Sequence, residues 1–591
     1  MYGFRGSYHL RNTDASEQSP SSGDACAASI DADAGSFSRD SAGLHAVFCG
    51  HPQWRDSALK ELAQSQGNSA ALMAAWRQRG DGILDLLAGD FALLIIDEAA
   101  GRVFAATDRI GRWPLFYAHT QEQVACSTNA GYLKDIAWID SHLSEQAIYS
   151  YLYFHMVPSP LSIFRGISKL PGAHVFDWQR GKVTVRCWWQ PQFTEDSHAD
   201  MKTLGAEMMG IIRKSVGRLA DNAAVGAFLS GGLDSSTVAG VLSEIRPNAD
   251  TFSIGFDVAG YDEISYARIA VQHFNTQRHE YYVTPEDVVA SIPQIAEHYD
   301  EPFGNSSALP AYYCAKMARE CGIERLLAGD GGDEIFAGNE RYAKQKVFEL
   351  YANLPGVLKT GIRSTLAALP QTPALLRKAR SYVEQASVPL PDRLESYNFL
   401  HRIDAATMFT PDFLQQVDQH APEELMRDIY RRPADASSLN RMMYLDWQRT
   451  LADNDLRKVQ RTCELAGVDV VYPLLDDELV EFSCRVPSRM KLPGHRLRYF
   501  YKQATQDFLP VEILRKKKHG FGLPFGIWMK EHPALRAMAC ESLGQLAQRG
   551  WIRAEFIDEV LKLHNTAHSS YYGELVWILV MLEQWLEAHH V

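Results

Sequence analysis

One short stretch constrains this chain more than any other. The apolar run AVGAFLS (224–230) leads directly into Gly231-Gly232-Leu233-Asp234-Ser235-Ser236, and the helical pattern SSTVAGVLSEIR follows. A continuous apolar run of this length reads as a strand buried on both faces, which is the habit of parallel sheets. A strand, a glycine turn and a helix then open a β-α-β unit. The glycines let backbone N–H groups converge on an anion, and the helix N-terminus adds favourable partial charge. Ser230, Ser235 and Ser236 supply hydroxyl donors, and Asp234 suits a Mg²⁺ ion on a pyrophosphate. The loop has no Gly-Lys-Ser/Thr, so a Walker-type phosphate loop is disfavoured. The bland alternative is an ordinary glycine-rich junction, but the carboxyl end of a parallel strand is where such folds bind ligands.

The pattern around this stretch agrees. An amphipathic helix (MKTLGAEMMGIIRKSVGRLA) precedes it; the strand TFSIGF, further helices and the strand ERLLAG follow. Strands alternating with helices predict a parallel sheet with helical cover. The second strand end carries Gly329-Asp330-Gly331-Gly332-Asp333-Glu334, glycine-flanked carboxylates that suit a metal–phosphate site or, more plainly, a solvated turn. A third element is Lys516-Lys517-Lys518-His519-Gly520-Phe521-Gly522. A cation there would stabilise charge on an α-phosphate, although lysine triplets are commonly just solvated. From about residue 340 the chain is mostly helical.

The first ~190 residues differ. Strand-like runs HAVFCG, DFALLIID, GRVFAATD, PLFYAH and QVACST alternate with turns, and the helical stretch SAALMAAWRQR interrupts them. This is a layered, strand-rich half. Residues 12–42 are small and polar and read as a loose loop, having too little apolar surface to offset ordering entropy. At 591 residues the chain exceeds one core, and two or more domains are expected. Its net charge of −13 argues against an electrostatically driven nucleic-acid binder. No apolar run reaches the ~20 residues of a membrane span, and the start lacks the apolar region of a secretory signal. The nine cysteines form no Cys-x-x-Cys pair, so a soluble cytoplasmic protein with reduced thiols is expected.

Taken together and in order, these loops resemble the asparagine synthetase family over nearly the whole chain. The resemblance rests on SGGLDSS, Thr251-Phe252-Ser253-Ile254-Gly255-Phe256, Asp300-Glu301-Pro302-Phe303, GDGGDEIFAG, LADNDLRKVQR (451–461), Tyr472-Pro473-Leu474-Leu475-Asp476 and KHGFGLPFGIW. It implies an α/β architecture: a layered α+β half of Ntn-hydrolase type over residues 1–190, then an ATP-pyrophosphatase half with a helical carboxyl-terminal part over 205–591. It also implies ATP and Mg²⁺ as cofactors, with the metal on Asp234 and Asp333. Lys518 would attend the adenylate and Asp330 would lie by the nucleophile. Ser230, Gly231, Gly232, Ser235, Ser236 and Gly329 would hold phosphates, with Ser253 and Gly255 beside the adenine.

The amino-terminal half resembles the family's glutaminase domain through Gly89-Asp90-Phe91-Ala92, Asp108-Arg109-Ile110-Gly111-Arg112-Trp113-Pro114-Leu115-Phe116-Tyr117 and Ser168-Lys169-Leu170-Pro171-Gly172. Its chemistry departs from the pattern. Tyr2 stands where the family nucleophile is a cysteine, and Cys49-Gly50-His51 stands for Asn-Gly-Glu. A phenol does not attack an amide as a thiolate does. Cys49 ends an apolar strand and reads as a small buried hydrophobe rather than a substitute nucleophile. In the other half, Asp469 and Val471 replace a glutamate and an arginine on the acceptor side, which puts L-aspartate in doubt as the carboxylate.

The resemblance therefore implies an ATP-dependent, amide-forming ligase that adenylates a carboxylate without in-chain glutamine hydrolysis. Family branches of this kind include β-lactam-forming synthetases and lasso-peptide cyclases. The acidic Asp330, where the β-lactam branch has tyrosine, leaves macrolactam formation or another amidation open. An asparagine synthetase using ammonia or a separate glutaminase is the second reading, and a non-catalytic ATP-binding protein the third. The partners implied are a small-molecule or peptide carboxylate and an amine, with a precursor peptide or accessory protein as candidates. Apolar surface on the amino-terminal half would serve a homodimer or a substrate interface.

Overall fold

The structure is a computed structural model and describes residues 3–9, 28–32, 36–195, 200–221, 223–352, 354–369, 374–395, 398–517 and 522–591. Tyr2 and Lys518 lie outside the described residues.

The amino-terminal strands are β1 (Phe4–His9), β2 (Ala28–Ala32), β3 (Phe37–Arg39), β4 (Leu44–Trp54), β5 (Leu87–Asp97), β6 (Arg102–Thr107), β7 (Phe116–His119), β8 (Gln123–Ser127), β9 (Ser168–Lys169), β10 (His174–Gln179) and β11 (Lys182–Cys187). They form two sheets, in the orders β2-β1-β8-β7-β9 and β11-β10-β6-β5-β4-β3. Strand β5 shows why they stack. Phe91, Leu93 and Ile95 face one way, into a core shared with the helices Ser57–Gln66 and Asn68–Arg79. Ala92, Leu94 and Ile96 face the other way, into the core between the two sheets. The period of two puts apolar side chains on both faces of one strand. Each fully buried leucine or isoleucine contributes about 1.5–3 kcal/mol.

Residues 28–32 and 37–39 correct the expectation of a loose loop over 12–42. They are strands, because Ala28 to Ala32 pair with Tyr8 to Phe4 and Phe37 to Arg39 pair with Val47 to His45. Backbone pairing to an apolar neighbour overrides the polar composition.

The second half carries a wholly parallel sheet of β12 (Val225–Phe228), β13 (Asp250–Phe256), β14 (Gln277–Val283), β15 (Arg325–Leu327) and β16 (Asp469–Val471). Its order is β14-β13-β12-β15-β16. The chain steps outward from β12 to β13 to β14, then returns to lay β15 on the other side of β12. Strand order thus reverses between β12 and β15. Neither outer strand was foreseen. Strand β14 (QRHEYYV) is a polar edge, whose composition protects an open sheet edge and hides the strand signal, whereas β16 (DVV) buries both its valines and is only three residues long.

Helices dominate beyond residue 340, as expected, and end in Ser569–Ala588. No described helix is long and apolar enough to cross a membrane. One hydrophobic core runs through both halves. It joins Ile110, Phe116, Tyr151, Leu152 and Phe164 to Leu326, Trp447, Ile578 and Trp585. Polar ties follow the same seam. The Tyr151 hydroxyl donates to the Ile578 carbonyl at 2.8 Å, and Lys169 pairs with Glu301 at 2.5 Å. Both the N–H and the hydroxyl of Ser159 donate to Asp453 at 3.0 Å.

Candidate active site at the reversal of strand order

A cavity of about 820 Å³ opens at the carboxyl ends of β12 and β15. This is where an open α/β sheet leaves a crevice, because the helices after the two strands leave on opposite faces. Ser230, Gly232, Asp234, Ser235, Ser253, Gly329, Asp330 and Asp333 all line it. Three of the expected residues stand outside this lining. Gly231 is backed onto Tyr266 and Ala267, Ser236 is fully buried, and Gly255 lies against the Tyr282 ring.

The glycine loop is held by its own serines. The Ser235 hydroxyl accepts from the Ser230 N–H at 3.1 Å and lies 3.0 Å from the Ser230 hydroxyl. The Ser230 hydroxyl accepts from the Gly232 N–H at 3.3 Å. Helix Leu233–Ile245 starts at Gly232 with no side-chain cap, so its first N–H groups face the cavity end of the sheet. Ser253 donates to the Leu229 carbonyl at 2.6 Å, which ties β13 to the loop. A Cβ on Gly329 would fall 2.7 Å from the Ser235 nitrogen, so the two loops touch through that glycine.

Asp234 and Asp333 meet across the cavity on a single cation, the guanidinium of Arg498. Its Nη1 lies 2.5 Å from Asp234 and 2.6 Å from Asp333, and its Nη2 donates to the other Asp234 oxygen. Arg498 is almost wholly buried, in a left-handed backbone conformation (φ 56°), and stacks 4.3 Å from the Tyr501 ring centroid. Burial opposes its charge, but the two carboxylates outweigh that and hold its pKa well above the ordinary arginine value. Nothing in the sequence signals this residue, since RLRYFYK is an ordinary basic-aromatic stretch far from either loop.

The Asp330 side of the cavity is a second charge cluster. Asp330 lies 4.0 Å from Lys458, which pairs with Asp455 at 2.9 Å. Burial, with Asp455 and Asp234 nearby, pushes the Asp330 carboxyl up to about 6 against the opposing pull of Lys458. Asp455 and Lys458 sit where the π-helix Trp447–Asp455 passes into the α-helix Leu456–Ala466. A π-turn commonly marks a functional position, because it re-aims side chains. Both residues fall in LADNDLRKVQR, where the sequence suggested membership but no role. Lys516 lines the cavity and reaches the Ser230 carbonyl at 3.3 Å and Glu263 at 3.1 Å.

A different cluster joins the two halves. His51 contacts Asp90 at 3.0 Å through Nδ1 and Asp469 at 3.1 Å through Nε2. Arg325 reaches the same Asp469 oxygen at 2.6 Å, and the Trp113 indole donates to Asp90 at 3.0 Å. Burial lowers the His51 pKa, but Asp90 and Asp469 outweigh it and raise it to about 10. Trp113 is packed so close that a Cβ on Gly50 would fall 2.6 Å from its Nε1. No group of three metal-ligating side chains occurs among the described residues.

Sequence comparison completes the picture. Residues 208–587 match the asparagine synthase family profile, and residues 52–189 match a glutamine amidotransferase domain profile. The chain is 24% identical over 541 residues to "Asparagine synthetase [glutamine-hydrolyzing] 1" of Bacillus subtilis, covering 89% of this chain and 83% of that one. It is 24% identical over 534 residues to a "Putative asparagine synthetase [glutamine-hydrolyzing]" of Mycobacterium tuberculosis, covering 88% and 80%. It is 21% identical over 549 residues to "Amidase chry2" of Gibberella zeae, covering 83% and 78%. Fold, site and relatives define an ATP-dependent carbon–nitrogen ligase. The chain belongs to the asparagine synthase family.

Proposed function

We propose that this ligase activates a carboxylate as its acyl-adenylate in the cavity between β12 and β15 and joins it to an amine that is not released from glutamine by this chain. The observation that carries the second part is the fate of His51. At the place of the family's Asn-Gly-Glu segment, its imidazole is committed on both sides, to Asp90 and to Asp469. Trp113 fills the space beside Gly50. A closed, charged, hydrogen-bonded set is a poor fit to a site that must admit glutamine and stabilise an oxyanion. This supports reading residues 1–190 as a glutaminase-like Ntn-type half that has lost its reaction, and 205–591 as the pyrophosphatase half.

In this reading the substrate carboxylate oxygen attacks the α-phosphorus of ATP and pyrophosphate leaves. An amine then attacks the acyl carbon, AMP leaves, and the amine proton passes to a base. Mg²⁺ would neutralise the pyrophosphate. Asp234 and Asp333 are the residues to hold it, because they are hard oxygen donors that line the cavity and already converge on one cation. Ser230 and Ser235, which line the cavity, and the N-terminus of the helix after Gly232 orient phosphate. Asp330, with its pKa near 6, is the base, and Lys458 sets its charge. Lys518 is assigned to the adenylate on its sequence position. The substrate class that fits a lost glutaminase is one whose own amine closes the amide, such as a precursor peptide forming a macrolactam.

The test is product analysis of the full chain with ATP and glutamine, ammonium or a candidate peptide. Carboxylate-dependent ATP–pyrophosphate exchange without glutaminase activity is expected. Glutamate release from free glutamine would refute the reading of the amino-terminal half. The relatives matched over most of the chain are named asparagine synthetases, which favours a second reading: an asparagine synthetase using ammonia or nitrogen from a separate glutaminase. Asparagine formed from aspartate and ammonium would establish it.

A further inference from the structure

The two carboxylates nominated for the metal are not waiting as bare anions: they share a built-in cation. Arg498 lies in the cavity wall beside them, with both terminal nitrogens committed to Asp234 and Asp333. The fit is built by the glycines of GDGGDEIFAG. A Cβ on Gly332 would overlap the Asp234 carboxylate and lie 3.0 Å from the guanidinium, and a Cβ on Gly338 would overlap the Asp333 carboxylate and lie 2.6 Å from Arg498 Cδ. The arginine Nε, in contrast, is buried with no hydrogen-bond partner, so the arrangement serves the two aspartates better than the arginine. Two cations cannot share one pair of carboxylates at these distances without strong mutual repulsion.

We propose that Arg498 is a displaceable internal counter-ion, which occupies the metal position between Asp234 and Asp333 until a nucleotide-borne Mg²⁺ drives it out. This deepens the assignment of those aspartates as metal ligands and rests on it. It makes free metal a poor ligand of the resting protein, and it makes the nucleotide and its metal arrive together. The triphosphate adds the negative charge that both the metal and the displaced guanidinium then share. The arginine is a positioning residue for the metal site, because it acts through the two carboxylates.

The experiment needs neither substrate nor turnover, so its failure is distinct from failure of the proposed reaction. The full-length protein is titrated with Mn²⁺ alone, and bound metal is read by loss of the free-ion electron paramagnetic resonance signal. The wild type is expected to bind Mn²⁺ at least about tenfold more weakly than Arg498→Gln, since the substitution takes away the positive charge that competes with the metal for the two carboxylates. Adding Asp333→Asn to that variant should abolish the gain. Melting gives an independent readout: Mg²⁺ without nucleotide should raise the melting temperature of Arg498→Gln and leave the wild type unmoved. Should Arg498→Gln fold only with Mg²⁺ present, that rescue counts for the proposal. Should it not fold at all, the wild-type titration decides: Mn²⁺ held without nucleotide as tightly as with a non-hydrolysable ATP analogue overturns the proposal. Equal Mn²⁺ affinity in the wild type and Arg498→Gln overturns it as well.

Discussion

Asp234 and Asp333, 99 positions apart in sequence, grip the same guanidinium from loops on neighbouring parallel strands. Convergence on one cation is what a shared metal would require. Asp333→Asn should therefore lower carboxylate-dependent ATP–pyrophosphate exchange by about 10²–10³-fold, the scale of losing one charge-stabilising group at a reacting phosphate. Exchange at the wild-type rate would remove Asp333 from the site.

The nearby Asp330 predicts a different defect. If it takes the amine proton, Asp330→Asn should keep pyrophosphate exchange while amide formation falls by about 10²–10⁴-fold. The wild-type rate of amide formation should rise with pH through about 6, the value to which burial pushes this carboxyl, because only the ionised form accepts a proton. A matching loss of exchange in the variant would place Asp330 in adenylation instead.

Gly338→Ala tests the close packing behind Asp333. The new methyl would overlap the carboxylate and sit 2.6 Å from Arg498 Cδ. A small displacement of a catalytic group costs up to about 10²-fold in rate. Exchange should drop by that order while circular dichroism stays native.

His51→Gln probes the seam between the halves. The His51 pKa is raised from its ordinary 6.5 to about 10, so the folded protein holds this proton more tightly than the unfolded chain. Stability from this source is complete below the unfolded value and is lost as pH rises through the folded one. The variant should be less stable by about 1–3 kcal/mol at pH 6, the scale of charge-assisted hydrogen bonds. Urea unfolding should show that deficit shrinking toward pH 10, and a constant deficit would show that the charge is not the source.

Much of the site was legible because its chemistry is local. Ser230 to Ser236 and Gly329 to Asp333 each announce a loop at a strand end, through glycines whose conformation or close approach the fold needs. Arg498 was not legible, since its role exists only through two partners more than 160 residues upstream. Asp455 and Lys458 sat in a recognised stretch, but only the π-helical turn shows which way they point. Among the strands, β5 was plain from its apolar run. Strand β14 was missed because an edge strand of a parallel sheet needs no apolar pattern, and β16 because three residues are too short a run to announce a strand. Strand β2 was missed because it borrows its order from β1.

The core that runs unbroken from Ile110 and Tyr151 to Ile578 and Trp585 bears on how such a chain can change over time. A domain attached by a linker can be gained or lost as a unit. This one cannot, because the ligase half closes its own interior with side chains from the first 170 residues. Substitutions in the amino-terminal half are thus held to what this shared interior tolerates, whatever reaction that half supports.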